Sequence, residues 1–212
     1  MIYIFKPQWF LRLKNIICLL CLVGLAQGCV IINENNYRTL RPEQQTQIEH
    51  FNNQLIHREW NPGTQTLVEV DGNDIFDVVR QSPFTWVRLW RPFCSAESCE
   101  NLSVYAAKAE AYPGLSFMLI SESYDFKSIK EKFEQSNFKG SSYVLKDAVY
   151  GHKMTPARKK FIAEMGNNQP VQPLFYDNDF FFIGDSLVFA GNSLVVHLDS
   201  LMQVSQGKTF AR

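Results

Sequence analysis

The chain has 212 residues, 46% of them hydrophobic and 14% aromatic, and no net charge at neutral pH. That length fits one ordinary domain with an N-terminal extension, and the apolar content is ample for a packed core, which excludes a disordered chain. Lys6, Arg12 and Lys14 meet no acid within the first 28 residues and leave the rest of the chain at −3, which argues against a nucleic-acid partner, because such binding needs a basic face.

After this basic start an apolar run extends from Ile16 to Ala26. It has the length of a signal-peptide core and is too short to span a bilayer, which takes about 20 residues. It ends in Leu25-Ala26-Gln27-Gly28-Cys29. This resembles a bacterial lipobox, in which a small residue precedes a Cys that is acylated and becomes the new N-terminus. The resemblance implies a signal peptide over residues 1–28, lipidation at Cys29, and attachment to a membrane through that lipid. Leu stands four residues before the Cys rather than three, and Gln27 is bulky. The alternatives are an uncleaved anchor lengthened by Trp9, Phe10 and Leu11, or plain secretion. Export also sorts the cysteines. Cys18 and Cys21 leave with a cleaved signal, Cys29 takes the lipid, and Cys94 and Cys99 remain to meet an oxidising compartment.

From Val30 to about Thr39 the chain is polar and Asn-rich, which suits a tether. Arg41 to Leu55 reads as a helix, with Pro42 in its first turn and Ile48, Phe51 and Leu55 at helical spacing. Asn61-Pro62-Gly63 breaks the chain, so residues 29–63 form a tether with an N-terminal helical extension and residues 64–212 form the domain. Within it, Thr66–Val70 is a short strand, Asp71-Gly72 a turn, and Asp74 caps a helix to Arg80 that buries Ile75, Val78 and Val79. Phe84–Trp90 is a central strand, rich in β-branched and aromatic residues. A helix is expected from Cys94 to Ala111, a buried strand over Leu115–Ile120, and a helix from Asp125 to Ser136. Ser142–Leu145 is a strand, and a helix lies between Lys153 and Met165. Asp179–Ile183 and Ser186–Ala190 form a hairpin across Gly184-Asp185, and Asn192 caps the last helix.

The order βαβαβαβαββα describes parallel strands joined by helices and closed by an antiparallel hairpin and a final helix. The expected fold is an α/β three-layer sandwich around a central mixed sheet. The segment Trp86-Val87-Arg88-Leu89-Trp90-Arg91-Pro92-Phe93-Cys94 resembles the strand and elbow of membrane-anchored thioredoxin-like proteins. Asp125–Leu145 is similar to their extra helix and strand, and Phe180–Gly191 to their closing hairpin; the resemblance covers roughly Thr66 to Met202. It implies thiol–disulfide exchange through Cys94 and Cys99 with a protein thiol or disulfide as partner. It also implies a place in a bacterial cell envelope, facing the periplasm or the exterior, and no cofactor.

Four residues, Ser95-Ala96-Glu97-Ser98, separate the two cysteines where that family has two. On an unbroken helix this spacing sets the side chains about 140° apart, so bonding needs an unwound or later-starting first turn. One class of peroxiredoxins has the same gap, but it places Thr or Ser where this chain has Arg91. Cys94 at a helix N-terminus, with Arg91 three residues earlier, favours a thiolate, whereas Glu97 and Glu100 oppose it. Cys99 is the expected resolving thiol. The alternative is a passive bridge in a redox-inactive binding or scaffold protein. The family's cis-proline position falls near Asn178 or Asp179, and the nearest proline is Pro173. Copper-delivery proteins of this fold carry a His just before the hairpin, where this chain has Tyr176-Asp177-Asn178-Asp179, so no metal site is expected. Arg158-Lys159-Lys160 reads as a solvated helix face.

Overall fold

A computed structural model describes residues 34–52, 66–94, 101–136 and 138–209 of the chain. Its strands are β1 (Ile48–His50), β2 (Leu67–Val70), β3 (Phe84–Trp90), β4 (Leu115–Ser121), β5 (Ser142–Leu145), β6 (Asp179–Ile183) and β7 (Ser186–Gly191). They form one seven-stranded sheet in the order β1-β2-β5-β4-β3-β6-β7. Neighbours from β1 to β3 are parallel, whereas β6 is antiparallel to β3 and β7 to β6. The fold is therefore α/β with a mixed sheet.

The pleat explains how the helices divide. Val68 and Val70, Val87 and Leu89, Met118 and Ile120, and Phe180 and Phe182 enter one apolar cluster. Their alternate neighbours Leu67, Trp86, Leu119 and Phe181 enter the other, as a two-residue repeat requires. The first cluster also takes Ile75, Val78 and Val79 of α2 (Gly72–Gln81), Tyr150 of α5 (Asp147–Tyr150), and Phe161 and Met165 of α6 (Met154–Gly166). The second takes Leu102 and Tyr105 of α3 (Leu102–Glu110), Ile129 and Phe133 of α4 (Phe126–Ser136), and Leu194 and Leu198 of α7 (Leu194–Thr209). Phe180, Phe181 and Phe182 are fully buried, as a core strand demands.

Several local expectations change. The helix read over Arg41–Leu55 is confined to α1 (Pro42–Gln45). Ile48, Glu49 and His50 instead pair in parallel with Leu67, Val68 and Glu69. The open edge of β2 offers ladder hydrogen bonds that outweigh a weak helical spacing. The tether also ends sooner than expected, because from Glu34 the chain is docked. The Asn35 N–H donates to the His152 carbonyl at 2.8 Å, and its Nδ2 donates to Asp147 Oδ1 at 2.9 Å. Its carbonyl accepts the Tyr124 N–H at 2.7 Å, and the Tyr37 ring meets the Tyr124 ring edge-on. Residues from Glu34 onward belong to one compact unit. The break at Asn61-Pro62-Gly63 lies outside the described residues.

The cap of α2 is Asp71, whose side chain accepts from the N–H groups of Asn73 and Asp74, while Asp74 reaches back to the Asp71 N–H at 2.9 Å. This reciprocal pair satisfies more orphan donors than Asp74 alone can reach. Asn192 does not cap α7; its Oδ1 accepts from Asn178, at 3.1 Å from the backbone N–H and 2.8 Å from Nδ2. Gly184 turns the hairpin at φ +55, a conformation in which a Cβ is strained.

Three buried tyrosines set a limit at high pH. Burial pushes the Tyr143 hydroxyl up to about 12. Burial also raises Tyr124 and Tyr150 well above the usual range, helped by the carboxylates of Glu69 and Glu164. The unfolded chain loses these protons near pH 10, while the folded chain keeps them. Their contribution to stability is complete below about pH 10 and falls as pH rises toward about 12. Denaturant midpoints are expected to drop steadily across that window; a midpoint that stays level from about pH 9 to about pH 11.5 contradicts this account.

Candidate functional site

The central strand β3 delivers its C-terminal end into a depression. Beyond Trp90 the chain turns, and the Cys94 N–H donates to the Arg91 carbonyl at 3.1 Å. Cys94 is half-buried and lies in a non-helical segment. The helix expected from Cys94 begins at Leu102, with Asn101 as its cap and the Asn101 side chain accepting the Ser103 N–H at 3.1 Å. An Asn at this position satisfies an orphan first-turn donor that a Cys cannot. Cys94 is therefore not on the first turn of α3, and a helix dipole acts mainly within that turn. Cys99 and Cys29 lie outside the described residues.

Arg91 is also placed differently from expectation. Its Nε and Nη2 donate to Glu122 Oε2 at 3.2 and 3.0 Å. The charge expected to favour a Cys94 thiolate is thus balanced by a carboxylate that follows β4. Glu122 is almost wholly enclosed, and its other oxygen accepts from Nη1 of Arg158.

Arg158 was expected on a solvated face and is instead buried. Its Nε donates to the Phe175 carbonyl at 2.7 Å, and its Nη2 donates to the Asp177 carbonyl at 2.6 Å and to Asn178 Oδ1 at 2.8 Å. All three guanidinium nitrogens are engaged, so Arg158 fixes the loop before β6 against Glu122. The signal was present in the sequence: Met154, Ala157, Arg158, Phe161, Ile162 and Met165 follow one helical stripe, and all are buried.

A second buried ion pair backs the site. Arg88 Nη1 donates to both oxygens of Asp179 at 2.7 Å. Trp86 Nε1 donates to Asp179 Oδ1 at 3.0 Å, and the Leu194 N–H at the start of α7 donates to Oδ2 at 3.3 Å. The Arg88 guanidinium stands 4.1 Å from the centre of the Tyr105 ring.

These groups enclose a cavity of about 340 Å³, whose wall includes Arg88, Arg91, Cys94, Tyr105, Glu122 and Arg158. Phe175 and Tyr176 contribute to its lining and are largely exposed. The cavity opens where the parallel strands end, the usual place for a ligand in an open α/β sheet. The structure thus brings Arg91 and Cys94 together and adds Arg88, Glu122, Arg158 and Asp179, none of which the sequence reading singled out as site residues. Among the described residues no peptide bond is cis, and Asn178 and Asp179 stand where β6 begins. Among them, no His, Cys, Asp and Glu side chains gather in a group able to hold a metal ion, and no helix is long and apolar enough to cross a membrane. Comparison with protein families, with characterised proteins and with solved structures finds no match.

The two ion pairs differ in burial, and so in cost. Asp179→Ala leaves Arg88 charged in an enclosed site and is expected to cost about 3–5 kcal/mol. Arg91→Gln removes a partly exposed partner of one oxygen of Glu122, whose other oxygen keeps its ion pair with Arg158, and is expected to cost less, about 1 kcal/mol. Urea unfolding of both variants checks this; equal losses would show that the Asp179 cluster has no special weight.

Proposed function

We propose that this protein is an envelope lipoprotein, acylated at Cys29, whose domain is a thioredoxin-like three-layer sandwich that exchanges disulfides through Cys94 and Cys99. The observation that carries the reading is the position of Cys94, half-buried in the wall of the cavity at the end of the central strand. A sulfur there is reachable by a partner that docks against Phe175 and Tyr176. In the proposed step the Cys94 thiolate attacks a partner disulfide. A mixed disulfide forms, and the partner's second sulfur departs as a thiolate that takes up a proton. Cys99 then attacks the Cys94 sulfur, releasing the partner as a dithiol and leaving the Cys94–Cys99 pair oxidised. The lipid would hold this chemistry at the outer side of a bacterial membrane, in the periplasm or beyond.

A second reading draws on the Arg91–Glu122 contact. With Arg91 balanced and Cys94 off the helix start, a reduced Cys94 would lack two of the usual activating influences. The protein would then be a redox-inactive binding lipoprotein with a structural bridge. The two readings separate in the reduction potential of the cysteine pair, where a value well below about −300 mV indicates a structural bridge. Exchange further requires an asymmetry: Cys99→Ser should trap partners on Cys94, and Cys94→Ser should trap few. No trapped partner, together with a Cys94 reactivity profile centred near pH 8.5, about the free-thiol value, leaves only the binding reading.

The anchor has its own test. Intact mass of the membrane-extracted protein should show cleavage before Cys29 and added acyl groups. The mass of the whole unmodified chain would remove the lipoprotein assignment.

A further inference from the structure

Arg88 is enclosed, with its side chain only 9% exposed, yet all its hydrogen bonds to described residues leave from one nitrogen, Nη1. Nε and Nη2 donate to none of them. A guanidinium held in a fork by Asp179 and laid on the Tyr105 ring cannot swing out to water without breaking the ion pair. Buried donors left unmatched are costly, and native structures match them with a partner, ordered water or a ligand. Among the described residues, Thr85 Oγ1 is the one fully buried side-chain polar atom without a partner, so Nε and Nη2 of Arg88 are not sealed. Arg88 is part of the cavity wall, and an adjoining cavity is where donors left open by the protein are met.

Charge and shape narrow what could fill that space. Among the described residues of the wall, Arg88 is balanced by Asp179, and Arg91 and Arg158 share the single carboxylate of Glu122, which leaves these groups with one positive charge in excess. The Asp177 carboxylate is turned into its own loop, accepting the Leu174 N–H at 2.7 Å, and is not part of the wall. Trp90, Tyr105, Phe175 and Tyr176 supply flat apolar surface around the cationic wall. Nε and Nη2 of one guanidinium are spaced for the two oxygens of a carboxylate.

We propose that the cavity binds an organic carboxylate, with the carboxyl group on Nε and Nη2 of Arg88 and an apolar or aromatic body against Trp90, Phe175 and Tyr176. The carboxylate is either that of a free small acid or one presented by a peptide chain. This goes beyond the exchange reading and does not depend on it, because occupancy of the cavity requires no reaction at Cys94.

The test compares ligands that differ only in charge, on the detergent-extracted full chain, by calorimetric titration. 3-Phenylpropanoate is paired with 3-phenylpropanamide, and acetyl-Ala-Phe with its C-terminal amide. At least one acid should bind at least about tenfold more tightly than its amide, the usual worth of a charge-assisted hydrogen-bonded pair. Binding of the free acid assigns a small-molecule ligand, and binding of the peptide acid alone assigns a carboxylate carried on a polypeptide. Arg88→Lys keeps a cation for Asp179 but removes the fork, and it should weaken the acid at least about tenfold with little effect on the amide. If that variant does not fold, the acid–amide comparison on the unmodified protein decides alone. Equal affinity for acid and amide, an unchanged affinity in folded Arg88→Lys, or no acid binding up to about 10 mM overturns the proposal. Since the readout is heat of binding rather than thiol transfer, its failure is separate from failure of disulfide exchange.

Discussion

Asp179 holds a carboxylate where water does not reach, and its three donors come from two elements. Trp86 and Arg88 lie on β3, and the Leu194 N–H opens α7. Desolvating such a group costs several kcal/mol unless its lone pairs are met, so its position is tied to those donors. Asp179 is also the first residue of β6 and pairs with Arg88 in the antiparallel register. One charge thereby fixes the start of the hairpin, the entry of the last helix and the end of the central strand. The guanidinium it holds belongs to Arg88, which is part of the cavity wall.

Glu122 and Arg158 build the rest of that wall by the same logic. Glu122 follows β4, and its N–H donates to the Trp90 carbonyl at 3.0 Å, which joins the ends of two adjacent strands. Arg158 arrives from α6 and spends its donors on Glu122 and on the loop of Phe175 to Asn178. The loop that rims the cavity is thus positioned by a cation buried in a helix. Arg91, more exposed, closes the same carboxylate from outside and lies nearest Cys94 in the chain. Charge balance here shapes the pocket before any reaction is considered.

The elements were largely legible in the sequence because their signals are local. Phe84–Trp90, Ser142–Leu145 and Asp179–Ile183 are strands as read, since β-branched and aromatic runs between turns have few other uses. β1 was not legible: a three-residue strand has no period of its own and exists through its pairing with β2. The start of α3 was missed because a cysteine pair suggested a helix that Asn101 in fact opens. The site was the least legible part. Arg88, Glu122 and Asp179 carry no motif, and their meaning comes from contacts between residues far apart in the chain. Arg158 did carry a signal, its place on a buried stripe, but a neighbouring pair of lysines hid it.

The contact between Arg88 and Asp179 spans 91 residues of chain. While the protein is being made, β3 leaves the ribosome long before the strand that will cover its antiparallel side. At ordinary elongation rates that interval is roughly 5–20 s, far longer than collapse or helix formation. During it Trp86 and Val87 flank an open strand edge, and Arg88 has no counter-charge. The hairpin is thus a late arrival that converts a sticky, half-covered sheet into a finished one.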